Sequence, residues 1–512
     1  MRQGHEKDVK ILLEQEGINP DMADNSGGTP LFTAVYDGSE GIVEMLLGRN
    51  DVNPAATNNE GDTPLSWAAL TGNAVIAEML FRQIDVDPNA ANTSGRTPLS
   101  FAAEQWEEET VKLLLKRNDV NPDKADESGR TPHSWAVVGC WVNEDDDDGM
   151  GSRRKLTRES CAIMGKRIIA VKILLERNDV NPDMADKSGR TPLSWAASYG
   201  CEEIVKILLE RSDVNLDMPD QQGRTPFFWA AKYGHGDIME MLLERNNVDP
   251  NVADKGGRTP LSWAAEEWAG EIMKLLLKRN DINPNMADER GRTPLSWAVV
   301  GCIDEENEDE DMEGRGNWAI DIYDSRSGRA IAVKMLLERN DVNPDMADKS
   351  GRTPLSWAAS YGCEDIVEML LERNDVNHNK QDERGRTPFS WAAMYGHEKV
   401  VRALLERKNA NPHMADLSGR TPLSWAADHG CRKIVEILLQ QSDINPDAAD
   451  KSGRTPLSWA VAWAVDAATI EMLLGWNDVD PDAADKRGRT PLSWAVDGWE
   501  RRRSYEASIE EE

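Results

Sequence analysis

Seven histidines, six cysteines and 91 aspartates and glutamates give this 512-residue chain the side chains for acid–base, nucleophilic and metal chemistry. Their spacing decides whether any of that chemistry is assembled. No His-Glu-x-x-His run or Cys-x-x-Cys pair offers zinc ligands, and no Gly-rich phosphate loop follows a strand pattern. No serine or cysteine stands in a nucleophile motif with a base. Starting at Glu144, acids fall at calcium-loop positions 1, 3 and 5 with Gly149 at 6, but position 12 is Lys155, where a bidentate Glu is required. Hence no catalytic residue, cofactor site or metal site is expected, and the chain reads as a non-enzyme.

Where the histidines and cysteines do sit is set by a repeat. Thr-Pro recurs thirteen times, at 29, 63, 97, 131, 191, 225, 259, 293, 353, 387, 421, 455 and 490. The interval is 34 residues except for two of 60 and a last one of 35. A fixed period of this size marks a stacked-repeat solenoid. His5, His235 and His397 share one slot with Cys140, Cys201, Cys302, Cys363 and Cys431, after a turn glycine, so these cysteines read as fillers of one structural position. Successive stacked helices lie about 8–10 Å apart, beyond the roughly 7 Å Cα limit for a disulfide. His133, His378, His413 and His429 read as scattered surface variants of repeat positions.

One unit, Ala185–Asn215, shows what each repeat builds. Asp186, Lys187, Ser188 and Gly189 are turn chemistry, with glycine free to take a positive φ. Thr191 is placed to cap a helix whose first residue is Pro192. Leu193, Ala196 and Ala197 make a narrow apolar stripe; Tyr199 and Gly200 end that helix. Ile204, Val205, Leu208 and Leu209 form the stripe of a second helix. No unit this small buries its own apolar face, so stability must come from neighbours. The fold class expected is all-α, an extended solenoid of stacked helix-turn-helix units joined by β-turn loops.

The phrase Thr-Pro-Leu-x-x-Ala-Ala, then Gly-His and a Val-x-x-Leu-Leu helix, resembles the ankyrin repeat over nearly the whole chain. Two departures stand out. Serine (Ser66, Ser100, Ser194, Ser262) replaces the family's histidine after Leu, and the period is 34 rather than 33. The resemblance implies protein–protein recognition by a scaffold, inhibitor or adaptor. The phrasing GRTPLSWAA and LLERNDVN is similar to arrays common in filamentous fungi. That likeness implies two narrower roles: an accessory protein of a secondary-metabolite (toxin) pathway, or a detached sensor tail of a nucleotide-binding receptor.

Above the unit lies a 162-residue period; residues 170–215 and 332–377 differ at only five positions. Both 60-residue intervals place extra residues between the first and second helix of a unit. The expected organisation is an N-terminal half-repeat cap at 1–26, repeats at 27–140, an acidic and basic insertion at 141–165, repeats at 166–302, an acidic insertion at 303–328, repeats at 329–498 and a polar tail at 499–512. Eight of the ten residues 304–313 are acidic, and such charge runs are usually solvated. The insertions are expected to be the most protease-sensitive internal segments.

With 59 basic against 91 acidic residues the net charge is −32, which disfavours nucleic acid and anionic lipid as partners. No apolar leader or long apolar run is present. A cytoplasmic monomer is expected, with Arg153–Lys155 and Arg501–Arg503 the only grounds for nuclear entry. By the same charge, a protein partner with basic patches is expected.

Two surfaces are candidates for contact. Eleven of eighteen tryptophans share one slot (67, 135, 195, 229, 263, 297, 357, 391, 425, 459, 494), with Phe101 in the same place. A bare strip of them would aggregate, so a ladder of tryptophans packed on one another beneath the turns is expected. The turn tips vary while Gly and Thr-Pro around them do not. The expected partner-binding residues are therefore Lys187, Ser188, Gln221, Gln222, Lys255, Glu289, Arg290, Lys349, Glu383, Arg384 and Lys451.

Overall fold

The computed structural model describes residues 2–15, 17–139, 158–245, 247–301, 322–407, 410–462 and 467–497. Among them the regular structure is helical, with no strand. Two compact units result, Met1–Val252 and Ala253–Glu512. Inside each, the first helices of successive repeats pack on one another, and the second helices form a parallel layer behind them. The first-helix stack includes Pro98–Glu104 on Pro132–Val138 in one unit, and Pro260–Glu266 on Pro294–Val300 in the other.

The sequence dictates these short helices directly. Thr191 keeps an extended φ of −83°, and its side chain accepts the Ser194 amide; Pro192 fills the first helical position. Ser194 Oγ also lies 3.2 Å from Thr191 Oγ1, so the serine that replaces the family histidine joins the helix cap. At Thr97 the pair is reciprocal, with Ser100 Oγ accepting the Thr97 amide. A seven-residue helix is far too short to be stable in isolation. It holds because Leu193, Ala196 and Ala197 are fully buried against neighbouring repeats. The alanines allow the close approach, and Ile204, Val205 and Leu208 of Glu202–Glu210 complete the layer.

The turn tips stack as well. Asp186 Oδ1 accepts the amides of Ser188 and Arg190, each at 2.9 Å, closing the turn. The Lys187 amide donates to the Ser128 carbonyl of the preceding tip. Gly189 sits at φ +83°, and a Cβ there would stand 2.6 Å from the amide nitrogen of Gln221 in the next tip. Only glycine fits that position, for both reasons. The shared slot of His and Cys is also a hydrogen-bonding slot. His235 and His397 reach the carbonyls of Ser198 and Ser360, and Cys431 Sγ points at the equivalent Met394 carbonyl, 3.7 Å away. Cys201, Cys363 and Cys431 are free thiols. Cys140 and Cys302 lie outside the described residues.

The regular pattern changes where the long intervals begin. Gly139 and Gly301 end their helices at φ/ψ of 61/−157° and 65/−162°, whereas Gly362 takes 68/28°. Residues 140–157 and 302–321 lie outside the described residues, and with them both acidic runs. The second helices of these repeats, Arg158–Leu175 and Ile322–Leu337, begin inside the spans 141–165 and 303–328 expected to be insertion. The tail 499–512 is likewise outside the described residues.

Candidate functional site

The residue before each Thr-Pro, arginine in eleven of thirteen repeats, turns out to organise the inner surface. In most of these repeats its guanidinium lies over the aromatic ring of its own repeat and over that of the next, whereas Arg224 and Arg386 lie over their own Trp229 and Trp391. Arg190 stands 4.3 Å from the Trp195 ring centre and 3.5 Å from that of Trp229. Arg352 bridges Trp357 and Trp391 at 4.2 and 3.5 Å, and Arg454 bridges Trp459 and Trp494 at 3.4 and 3.8 Å. Each such contact contributes on the order of 0.5–2 kcal/mol when partly desolvated. The ladder is thus alternating Arg and Trp rather than tryptophan packed on tryptophan. Arginine planes separate rings that would otherwise leave a gap at the repeat spacing.

Eight of the rings are also tied to the turn above them. Trp195 Nε1 donates to Asp186 Oδ2 at 2.9 Å, and the same bond joins Trp297 to Asp288 and Trp357 to Asp348. One carboxylate therefore closes the turn with Oδ1 and holds the ring with Oδ2. The bond is not made at Trp67, whose turn carries Asn58, nor at Trp459 and Trp494, whose turns keep Asp450 and Asp485; all three Nε1 atoms are buried without a partner. Rings such as Trp229, Trp297 and Trp391 are 1–2 % exposed, so the expected withdrawal from water holds for them. Burial pushes Arg352 and Arg454 down to about 10, which leaves both cationic at neutral pH. Once per 162-residue block a carboxylate from the end of the first helix joins: Arg96 with Glu104 at 2.6 Å, Arg258 with Glu266, and Arg420 with Asp428 at 2.5 Å. Tyr199, Tyr233, Tyr361 and Tyr395 stack on the tryptophan four residues before them.

The candidate contact residues lie above this ladder. Lys187, Ser188, Gln221 and Gln222 in the first unit are exposed. So are Lys255, Glu289, Arg290, Lys349, Glu383, Arg384 and Lys451 in the second. The structure arranges each set as a row, since adjacent tips are hydrogen-bonded: Gln221 to Ser188, Lys349 to Arg290, Glu383 to Ser350. What sequence reasoning missed is the arginine beneath. The signal was present as an arginine five residues before each tryptophan, but its second contact spans two repeats and cannot be read from one.

The scattered histidines are corrected. His133, expected at the surface, is fully buried, because it stands where other repeats carry the core leucine. Neither ring nitrogen has a partner, and burial, with Arg211 nearby, pushes it down to about 3. His378, His413 and His429 are half-buried rather than exposed. Burial also depresses His378, and His429 lies against the Trp425 ring. Among the described residues no group of three or more His, Cys, Asp or Glu is placed to hold a metal ion. No helix among them is long and apolar enough to cross a membrane.

Comparison with protein families matches ankyrin repeats, in three-copy form, at residues 1–92, 160–254, 246–305, 322–382 and 373–450. A single ankyrin repeat is matched at 94–127. No curated protein matches the chain. The matched segments carry the capped short helix, the glycine turn and the stacked second helix described above, and ankyrin repeats are general protein–protein interaction modules. On this evidence the chain belongs to the ankyrin-repeat family.

Proposed function

We propose that the chain is a non-catalytic scaffold or adaptor that binds a protein partner through its turn tips and the helix starts beneath them. One observation carries this reading: a fixed frame presents varied side chains. Asp or Asn, Gly and Thr-Pro hold each turn in one geometry, while the exposed pair between them varies along the array, with Lys-Ser recurring at 187, 349 and 451 and Glu-Arg at 289 and 383. A surface already rigid before binding loses little conformational entropy on association. The Arg–Trp ladder supports the same reading, since it fills the space below the tips and leaves the partner a firm, partly aromatic floor.

The test exchanges tip pairs among repeats with Asp, Gly and Thr-Pro untouched. A partner isolated from native extract should lose affinity progressively as pairs are exchanged, with helicity and melting unchanged. Binding that survives exchange of every pair places contact elsewhere.

A further inference from the structure

The chain's charge of −32 points to a basic partner, but the tips do not share that charge. In the unit Ala253–Glu512, six of seven tips carry a basic side chain: Lys255, Arg290, Lys349, Arg384, Lys451 and Lys486. Only Glu289 and Glu383 oppose them, and the remaining tip is Leu417–Ser418. In Met1–Val252 the described tips carry Lys187 against Glu60 and Glu127. The cationic row is thus a property of the second unit.

Geometry turns these residues into one surface. Their backbones form an unbroken series of tip-to-tip hydrogen bonds: Glu289 to Gly256, Lys349 to Arg290, Glu383 to Ser350, Leu417 to Arg384, Lys451 to Ser418 and Lys486 to Ser452, all at 2.8–2.9 Å. All the basic tip residues are exposed, and among the described residues Lys255, Lys349, Lys451 and Lys486 have no ion-pair partner. This distinguishes them from Lys274, Lys399 and Lys433 on the second helices, which pair with Glu271, Glu364 and Glu398. Beneath the row lie the ladder arginines, among them Arg352 and Arg454. At physiological salt, exposed charges farther apart than about 8 Å hardly interact, so the local row and not the distant acidic surface sets what docks on it.

We propose that the tip row of the second unit binds an extended acidic polypeptide segment. This rests on the reading that the tips are the contact surface, and it names the partner's chemistry. Stacked repeats recur about every 8–10 Å and an extended chain advances about 3.3–3.6 Å per residue. Successive tips therefore meet about every third residue, and carboxylates at that spacing fit the row.

The experiment uses the full chain and labelled peptides in fluorescence anisotropy. One peptide carries Glu at every third position, a matched one carries Lys, and a single-stranded oligonucleotide of similar length is the third probe. The Glu peptide is expected to bind, with affinity falling as salt rises. Combined Lys255→Glu, Lys349→Glu, Lys451→Glu and Lys486→Glu should weaken it by about tenfold, since each exposed rim ion pair contributes modestly. Reversing Lys274, Lys334, Lys399 and Lys433 on the second helices changes net charge equally and should leave affinity near wild type; unchanged circular dichroism confirms folding of both variants. Preferential binding of the Lys peptide or the oligonucleotide overturns the proposal, as does equal damage from the helix reversals. If the native partner depends on the tips while the Glu peptide is ignored, the acidic class falls and the tip reading stands. If the native partner ignores tip exchange, the tip reading itself falls.

Discussion

At the loop that follows the second helix, one slot is Asp or Asn in all but two repeats, which carry Ala55 and His413, and the structure shows why that matters. Asn89 accepts the Asn121 amide of the next repeat with Oδ1 and donates its Nδ2 to the Asp119 carbonyl at 2.6 Å. Asn285 does the same with Asn343 and Asp341. Asp183 accepts the Asn215 amide at 2.8 Å, but its Oδ1 is buried with no partner, and burial raises its pKa above the ordinary carboxylate value. A raised acid favours its protonated form in the fold, so its contribution is present at low pH and lost as pH rises through the raised value. At neutral pH Asp183→Asn supplies the missing donor and should stabilise by about 1 kcal/mol, seen as a higher urea midpoint at pH 7 that narrows toward pH 4. His133 runs the other way. Folded, it is held neutral at about 3, against 6.5 unfolded, so its compatibility with the core is lost progressively as pH falls below about 6.5. His133→Leu, which restores the residue of the other repeats, should raise the melting temperature more at pH 5 than at pH 7.5. An equal gain at both would show that its proton plays no part. The type of the residue misled the sequence reading here: a lone histidine was weighed as polar, whereas its slot, two after Thr, was legible as core.

Helices and turns were legible because single residues dictate them. Thr-Pro fixes each start, and glycine at the tip is required both by φ and by the adjacent backbone. The junctions before the long intervals were not legible, because they depend on an exchange between repeats. Trp106 and Trp268 occupy the slot of a positive-φ glycine, at φ 56° and 49°. Their rings lie over Gly139 and Gly301 of the following repeat, where a Cβ would stand 2.1 and 2.5 Å from Cζ2. Their Nε1 atoms donate to the Ala136 and Ala298 carbonyls. The third block keeps Gly430 in that slot and has no long interval. Gly301→Ala should therefore cost more than about 2 kcal/mol, from a glycine-only conformation and a clash with the ring. Gly270, at a helix start with open space around its α-carbon, is the control: Gly270→Ala should be neutral or stabilise by up to about 1 kcal/mol. Chemical denaturation of both variants checks the contrast. Equal effects would remove the ring from the account.

For the molecule as a whole, a 34-residue period was enough to give the stacked architecture, since each repeat can bury its apolar face only on its neighbours. The tip residues were also legible, as variation within a constant frame. The ladder below them was not, because the arginine's second ring belongs to the next repeat. Net charge averages over faces that stacking separates, and the tip row of the second unit differs in sign from the chain as a whole. The claim that the tips are the contact surface is tested most directly by chemical footprinting of lysines, free and bound to the isolated partner. Reductive methylation should be suppressed at tip lysines such as Lys187, Lys255, Lys349 and Lys451, while Lys112, Lys206, Lys274 and Lys433 on the second helices keep their reactivity. Protection of the helix lysines with the tips still reactive would contradict it.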